Sequence, residues 1–331
     1  MRAPAFWSRR GSASTLLAPL GLVTAALTAR RVARPGFDAK IPVFCAGNAG
    51  AGGSGKTILA RDLLLRLRGK PFALTRGHGG RLAGPLRVDP ARHTPADVGD
   101  EALLLAATGP TILARDRAAG AKLALAEGAT AIVMDDGLQN PGLMKTSSFL
   151  VIDGGYGFGN GRLLPAGPLR EPVAAAAVRC AAAVLIGPDT ANALAALPAG
   201  LRVLRADLVP SCTAPLAGVR VFAFAGIGRP EKFFASVRAL GAAVAGVMPL
   251  ADHHRYTARD ASLLLDKAEA LNAQLITTEK DFVKLPPALR AVTLVVTVWL
   301  SWADEPGVNA FLAEFGKDSG VNDRLRPALR G

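Results

Sequence analysis

Short apolar runs alternate with stretches of helical spacing along most of the chain, and turn-forming residues separate them. Ile41-Pro42-Val43-Phe44-Cys45-Ala46 is a continuous apolar run of strand length, and residues 58–67 then carry apolar positions at helical intervals. The alternation continues with strands expected at 72–75, 111–114, 131–134 and 149–152, and with helices expected at 102–107 and from Arg115 to about residue 127. This order predicts an α/β/α sandwich around a mostly parallel sheet, of the phosphate-loop NTPase type. Beyond residue 206 a second, smaller α/β unit is expected. Its strands fall at 219–225, 244–248 and 275–277, a helix opens at Pro230 and another covers 257–271, and residues 292–298 and 309–315 close it. The Pro-containing stretch 206–215 reads as a crossover and as the boundary between a unit at 35–205 and one at 206–331. Residues 153–172 form a long connection rich in Gly and Pro, and the apolar and aromatic residues inside it argue for order.

Residues 11–29 contain no charge and lie between Arg9-Arg10 and Arg30-Arg31 with Arg34. A membrane span of this length is barely sufficient, and Pro19 and Gly21 weaken it. A secretory signal lacks a clean cleavage site, although Arg9-Arg10 resembles a twin-arginine pair. A helix lying in the bilayer interface, with Leu16, Leu20, Val23 and Leu27 on one stripe, is favoured, so residues 1–34 are expected to be a peripheral anchor.

The 331 residues are half apolar, enough for two ordinary domains, and the three cysteines show no metal or disulfide spacing. A formal charge of +13 calls for a polyanionic partner or surface. Aromatic residues are few and not interleaved with the basic ones, which argues against nucleic acid.

Chemistry concentrates between the first strand and the first helix. Gly50-Ala51-Gly52-Gly53-Ser54-Gly55-Lys56-Thr57 fits G-x-x-x-x-G-K-[ST] at every fixed position, with the strand and helix the motif requires on either side. Its backbone N–H groups would cradle phosphates, Lys56 would reach the β/γ-phosphates and Thr57 would ligate Mg²⁺. The strand 131–134 ends in Asp135-Asp136, where a metal-holding acid is expected, although paired aspartates also form ordinary turns. Asp100 and Glu101 open a helix, either as dipole-complementing residues or as a Mg²⁺ ligand and proton acceptor. The loop from Arg76 through His78 to Arg81 reads as an anion contact or as a basic turn. Asp252-His253-His254 lacks a third ligand at zinc spacing, so a general-base role fits it better.

Taken together, Gly47-Asn48, Val98-Gly99-Asp100-Glu101, Asp135-Asp136-Gly137-Leu138-Gln139, the run 157–172, Asp252-His253-His254 and Thr277-Thr278-Glu279-Lys280-Asp281 resemble the tetraacyldisaccharide 4'-kinases of Gram-negative bacteria. The resemblance covers nearly the whole chain. It implies transfer of the ATP γ-phosphoryl group to the 4'-hydroxyl of a tetraacyldisaccharide 1-phosphate, at the cytoplasmic face of the inner membrane. It further implies Asp100 as catalytic carboxylate supported by His253, and Glu101, Asp135 and Asp136 around Mg²⁺. Gln139, Arg117 and Arg170 fall near phosphates and substrate, with Arg76 and His78 on the substrate side. Asn140 stands where many members carry His, His78 where Tyr is common, and Ile58 where Pro is common. Two other classes stay open: a phosphate-loop GTPase or ATPase serving as metallochaperone or switch, and an exported binding protein.

Overall fold

The computed structural model describes residues 4–315. Residues 1–3 of the expected anchor and 316–331 of the expected C-terminal unit lie outside the described residues. The strands, in chain order, are β1 Val43–Gly47, β2 Pro71–Thr75, β3 Leu86–Arg87, β4 Thr111–Leu113, β5 Ala131–Asp135, β6 Ser147–Asp153, β7 Ala182–Ile186, β8 Arg202–Cys212, β9 Arg220–Ala225, β10 Ala243–Pro249, β11 Gln274–Thr278 and β12 Thr293–Trp302. They form one sheet in the order β10-β9-β11-β12-β8-β7-β6-β1-β5-β2-β4-β3. Among the described residues only the β3–β4 and β8–β12 pairs are antiparallel, as expected for an α/β sandwich.

Strand side chains alternate between the two faces, so each half of the sheet has a core on both sides. Ile132 and Met134 of β5 pack on one face with Phe72, Leu74 and Ile112, while Ala131 and Val133 join Phe44, Leu59, Leu63 and Phe149 on the other. Those paired cores leave the carboxyl edge as the open side, and β1 and β5 deliver the phosphate loop and Asp135 there. Ala46 pairs with Asp135 across that edge.

Three features depart from the sequence reading. First, the expected crossover at 206–215 is mostly strand. β8 pairs in parallel with β7 through Ala206, then antiparallel with β12 from Ala206 to Cys212. Pro210 is tolerated because that stretch pairs only with β12, leaving one side with no ladder to interrupt. The sheet therefore runs unbroken across the expected boundary. The helix Glu305–Ala313 also returns to the first half, where Val308, Phe311 and Leu312 share a core with Leu59 and Leu63. Second, β7 was not anticipated, because its alanine-rich surroundings at 174–183 fit a helix equally well. It is a strand buried on both faces between β6 and β8.

The third departure is at the N-terminus, where two helices, Ser12–Leu16 and Ala18–Val32, stand in place of the single expected one, although the expected apolar stripe does face outward. Their small polar face is turned inward, with Ser14, Gly21 and Thr28 buried. Thr24 Oγ1 donates to the carbonyl of Leu164 at 2.7 Å, and a Cβ on Gly21 would lie 2.9 Å from that of Leu163. The apolar residues point outward: Leu16 is 82% exposed, Leu22 71% and Leu27 61%, with Leu20 and Val23 beside them. Among the described residues no helix is long and apolar enough to cross a membrane.

Candidate functional site

The phosphate loop leaves β1, which is fully buried, and ends at Gly55, the residue preceding the helix Lys56–Arg66. Gly55 has φ 91°, a left-handed backbone that demands glycine, and a Cβ there would also press on Ile186 Cδ1 at 2.6 Å. The loop is fastened from outside by the connection 153–172. Ala51 N donates to Pro168 O at 2.7 Å, and Arg170 N donates to Ala49 O at 2.8 Å. Lys56 Nζ lies 3.2 Å from Gly52 O and 3.9 Å from Asp136 Oδ1, folded over the anion cradle.

Asp135 and Asp136 have different surroundings despite their adjacency. Thr57 Oγ1 donates to Asp135 Oδ2 at 3.0 Å, while Asp135 Oδ1 is buried and unpartnered. Burial, reinforced by the negative charge of Glu101, pushes the Asp135 carboxyl up to about 7. Asp136 adopts a left-handed backbone, φ 53°, a cost of about 1 kcal/mol or more that persists only where surroundings enforce it. Burial works to raise its carboxyl, but Lys56 and Arg170 outweigh burial and hold it below the ordinary range. Arg170 Nη1 reaches Asp136 Oδ1 at 3.2 Å and Gln139 Oε1 at 3.3 Å.

The donor set tests whether a hard cation fits. The unpartnered Asp135 Oδ1 and the Thr57 hydroxyl are oxygen ligands of the kind Mg²⁺ takes, with Glu101 close enough to raise the Asp135 carboxyl. No group of three or more His, Cys, Asp or Glu side chains forms a cage among the described residues. Mg²⁺ is usually held by one or two carboxylates together with water and substrate phosphates. Asp136, committed to Arg170, is the weaker ligand candidate.

The remaining expected residues separate into two groups. Gln139 is buried and acts as a joint: its Nε2 donates to Asn48 O at 2.7 Å and to Glu171 Oε1 at 2.8 Å. Arg117 is 2% exposed, with Nη1 on Ala114 O and Nη2 on Asp135 O, so it props the end of β5 from beneath. Burial lowers its guanidinium from the ordinary value. Neither side chain is open to a substrate, in contrast to the exposed Arg76 and His78. Asn140 accepts with its side chain from Gly142 N, 2.8 Å away.

Asp100 and His253, 153 residues apart, meet at 3.1 Å between Asp100 Oδ2 and His253 Nδ1. Asp100 opens the helix Asp100–Thr108 just after Gly99, whose φ of 84° lets His78 O come within 2.4 Å of a would-be Cβ. His253 also has a left-handed backbone, φ 57°, and its ring centroid lies 6.4 Å from that of His78. Burial favours a neutral Asp100, but the hydrogen bond from His253 and the charge of Lys280 outweigh it and hold the carboxyl below its usual range. The same hydrogen bond raises His253, against burial and Lys280.

Sequence reading gave no role to Glu171, Arg61, Glu279 or Lys280, although the last two stand in the quoted 277–281 block. Glu171, 3% exposed, holds Gln139 and takes both oxygens to Arg179 at 2.7 and 2.8 Å. Arg61 and Glu279 form a bidentate pair at 2.6 and 3.0 Å that ties the phosphate-loop helix to the second half of the sheet. Lys280 sits against the Asp100–His253 pair. The adjacency of Glu279 and Lys280 to the end of an apolar strand was the available signal, since such positions reach the carboxyl edge.

Comparison with known proteins places these features in a family. The family model described as tetraacyldisaccharide-1-P 4'-kinase matches residues 13–316. A tetraacyldisaccharide 4'-kinase of Gluconacetobacter diazotrophicus is 55% identical over 310 residues, covering 92% of this chain and 95% of that protein. One from Rhodospirillum centenum is 51% identical over 332 residues, covering 96% and 98%. The crystal structure of LpxK from Aquifex aeolicus in complex with ATP superposes with a TM-score of 0.70 at 22% identity, over 91% of this chain and 99% of that one. The family model spans most of the chain, and the Gluconacetobacter and Rhodospirillum relatives are more than half identical over nearly their whole length, so this chain belongs to the tetraacyldisaccharide-1-P 4'-kinase family.

Proposed function

We propose that the chain transfers the γ-phosphoryl group of ATP to the 4'-hydroxyl of a tetraacyldisaccharide 1-phosphate, with Asp100 as proton acceptor. The observation carrying this reading is the 3.1 Å contact of His253 with Asp100, which opens a helix whose next residue, Glu101, acts on Asp135 at the end of β5. Lys56 and backbone N–H groups within residues 52–57 hold the triphosphate, the Ala51 N–H being taken by Pro168 O. Thr57 and Asp135, with Glu101 nearby, would hold Mg²⁺, which supplies charge neutralisation between the β- and γ-phosphates when bound.

Asp100 takes the hydroxyl proton as the sugar oxygen bonds to the γ-phosphorus. The bond to the β–γ bridging oxygen breaks and ADP departs. His253 orients Asp100 by donating from Nδ1. Arg170, steered by Gln139 and Glu171, and the exposed Arg76 and His78 lie toward the acceptor. The working division is a peripheral anchor at 1–34, a kinase unit at 35–205 and a C-terminal unit from 206, with β8 as the joint. The outward apolar stripe between flanking arginines supports seating on an anionic inner-membrane surface on the cytoplasmic side, where ATP is available.

The test is ATP turnover with and without tetraacyldisaccharide 1-phosphate in detergent micelles. Acceptor-dependent turnover is expected, and ATP hydrolysis unaffected by the acceptor would favour a switch protein. In the same assay Asp100→Ala should cost more than His253→Ala, and the double variant little more than Asp100→Ala, because the two act as one unit. Multiplicative losses would mean independent roles.

A further inference from the structure

Glu279-Lys280-Asp281 opens the short helix Glu279–Phe282 directly after β11, and each residue faces a different target. Glu279 holds Arg61 of the phosphate-loop helix. Asp281, fully buried, accepts from Gly226 N at 2.9 Å and from Thr278 Oγ1 at 2.8 Å, which fixes the turn to its own half of the sheet. Lys280, held between these two, points at the Asp–His pair. Its Nζ lies 3.4 Å from His253 Nε2 and 3.8 Å from Asp100 Oδ2.

An ammonium group donates hydrogen bonds and cannot accept them. Where it meets Nε2, that nitrogen must carry the lone pair, so the ring proton resides on Nδ1, the atom facing Asp100. We propose that Lys280 is a positioning residue that sets which nitrogen of His253 carries the proton, and through it holds the Asp100 carboxylate toward the acceptor hydroxyl. The proposal rests on the reading of Asp100 as proton acceptor.

The charged and titratable groups facing the pair come from several elements. They are Asp252 at 4.0 Å from Nε2, the His78 ring, Lys280, and Lys284, whose charge acts on Asp100. Lys280 opposes protonation of His253 and favours ionised Asp100. Removing it should therefore raise the titration midpoint of His253 and move the acid limb of the pH–kcat/KM profile to higher pH.

The experiment compares wild type, Lys280→Met and Lys280→Arg in the full-length enzyme. Imidazole ¹⁵N–¹H correlation spectra read the tautomer and midpoint of His253 among the four histidines. In wild type, neutral His253 is expected as the Nδ1–H form. In Lys280→Met the tautomers should mix, the midpoint should rise, and kcat should fall about tenfold, short of the roughly 100-fold or more that a general base contributes. Lys280→Arg should restore the acid limb and much of the rate. If Lys280→Met fails to fold, Lys280→Gln carries the same measurements. An unchanged tautomer and midpoint, or a loss confined to KM for ATP, overturns the proposal. Asp100→Asn, run alongside, distinguishes the underlying reading: near-normal turnover there would remove the proton-acceptor role whatever Lys280 does.

Discussion

Asp135 and Asp136 differ because of where β5 ends. Asp135 is still in the strand, enclosed on all sides, whereas Asp136 has turned into the open with Arg170 and Lys56 against it. The buried carboxyl pushed up to about 7 is ionised in the unfolded chain from about pH 4 upward but is protonated longer in the folded one. Its contribution to stability is thus present below the unfolded value and is lost as pH rises through about 7. Melting temperature of the nucleotide-free protein should fall over that window, Mg²⁺ should restore it most at the alkaline end, and Asp135→Asn should flatten the dependence. A wild-type profile that Asp135→Asn leaves unaltered would assign the titration elsewhere. Lys56→Ala should lower kcat at least about 100-fold, since it deletes the cation that meets developing phosphoryl charge. Retention within tenfold would remove the loop from the chemistry.

At the level of elements, the phosphate-loop helix is held from its far side by partners remote in sequence. Arg61, 6% exposed, pairs with Glu279, donates from Nε to Thr108 Oγ1 at 2.8 Å and lies 4.7 Å over the Trp299 ring. One turn on, Arg66 holds Asp62 at 2.6 Å and Glu305 at 3.0 Å, and Trp302 Nε1 donates to Asp62 at 3.1 Å. Breaking a buried pair from one side leaves an uncompensated charge, which costs about 3–5 kcal/mol. Glu279→Ala should therefore destabilise by about that amount and also weaken the Asp100–His253 contact, because Lys280 and His253 belong to the half that Glu279 anchors. Denaturant unfolding together with kcat measures both effects. A stability loss under about 1 kcal/mol would mean that solvent replaces the clamp.

Across the whole molecule, one chain of contacts links the exposed apolar stripe to the nucleotide site. Arg162 reaches Ser14 O and Thr15 Oγ1, each at 3.2 Å, and Trp7 Nε1 donates to Pro165 O at 3.1 Å. The same connection then fastens the phosphate loop through Pro168 and Arg170. Replacing Leu16, Leu20, Leu22, Val23 and Leu27 by serine should weaken binding to anionic vesicles and leave the fold intact, since all five side chains already face outward. Residual binding should fall with salt, as the arginine contacts are screened. Deleting residues 1–30 should do more. It strips partners from Asn160, Arg162 and Leu164, so KM for ATP should rise as well. Vesicle flotation and ATP kinetics compare the two variants, and an unchanged KM on deletion would uncouple the anchor from the loop.

The phosphate loop, the acidic end of β5 and the alternating α/β order were legible in the sequence because each rests on local rules. Glycines with positive φ, an apolar run of strand length and a helix start lie within a few residues of one another. The meeting of Asp100 with His253, the inward burial of Arg117 and Gln139, and the clamp between Arg61 and Glu279 depend on pairing across more than thirty residues in one case and more than two hundred in another. No periodicity encodes such pairings. The outward stripe of Leu16, Leu20, Val23 and Leu27 was legible too, but not what its polar side packs on, since Thr24 meets Leu164 across 140 residues. Nor could local pattern reveal that β8 continues through Pro210, since a proline is compatible with a strand only where the sheet leaves one of its sides unpaired.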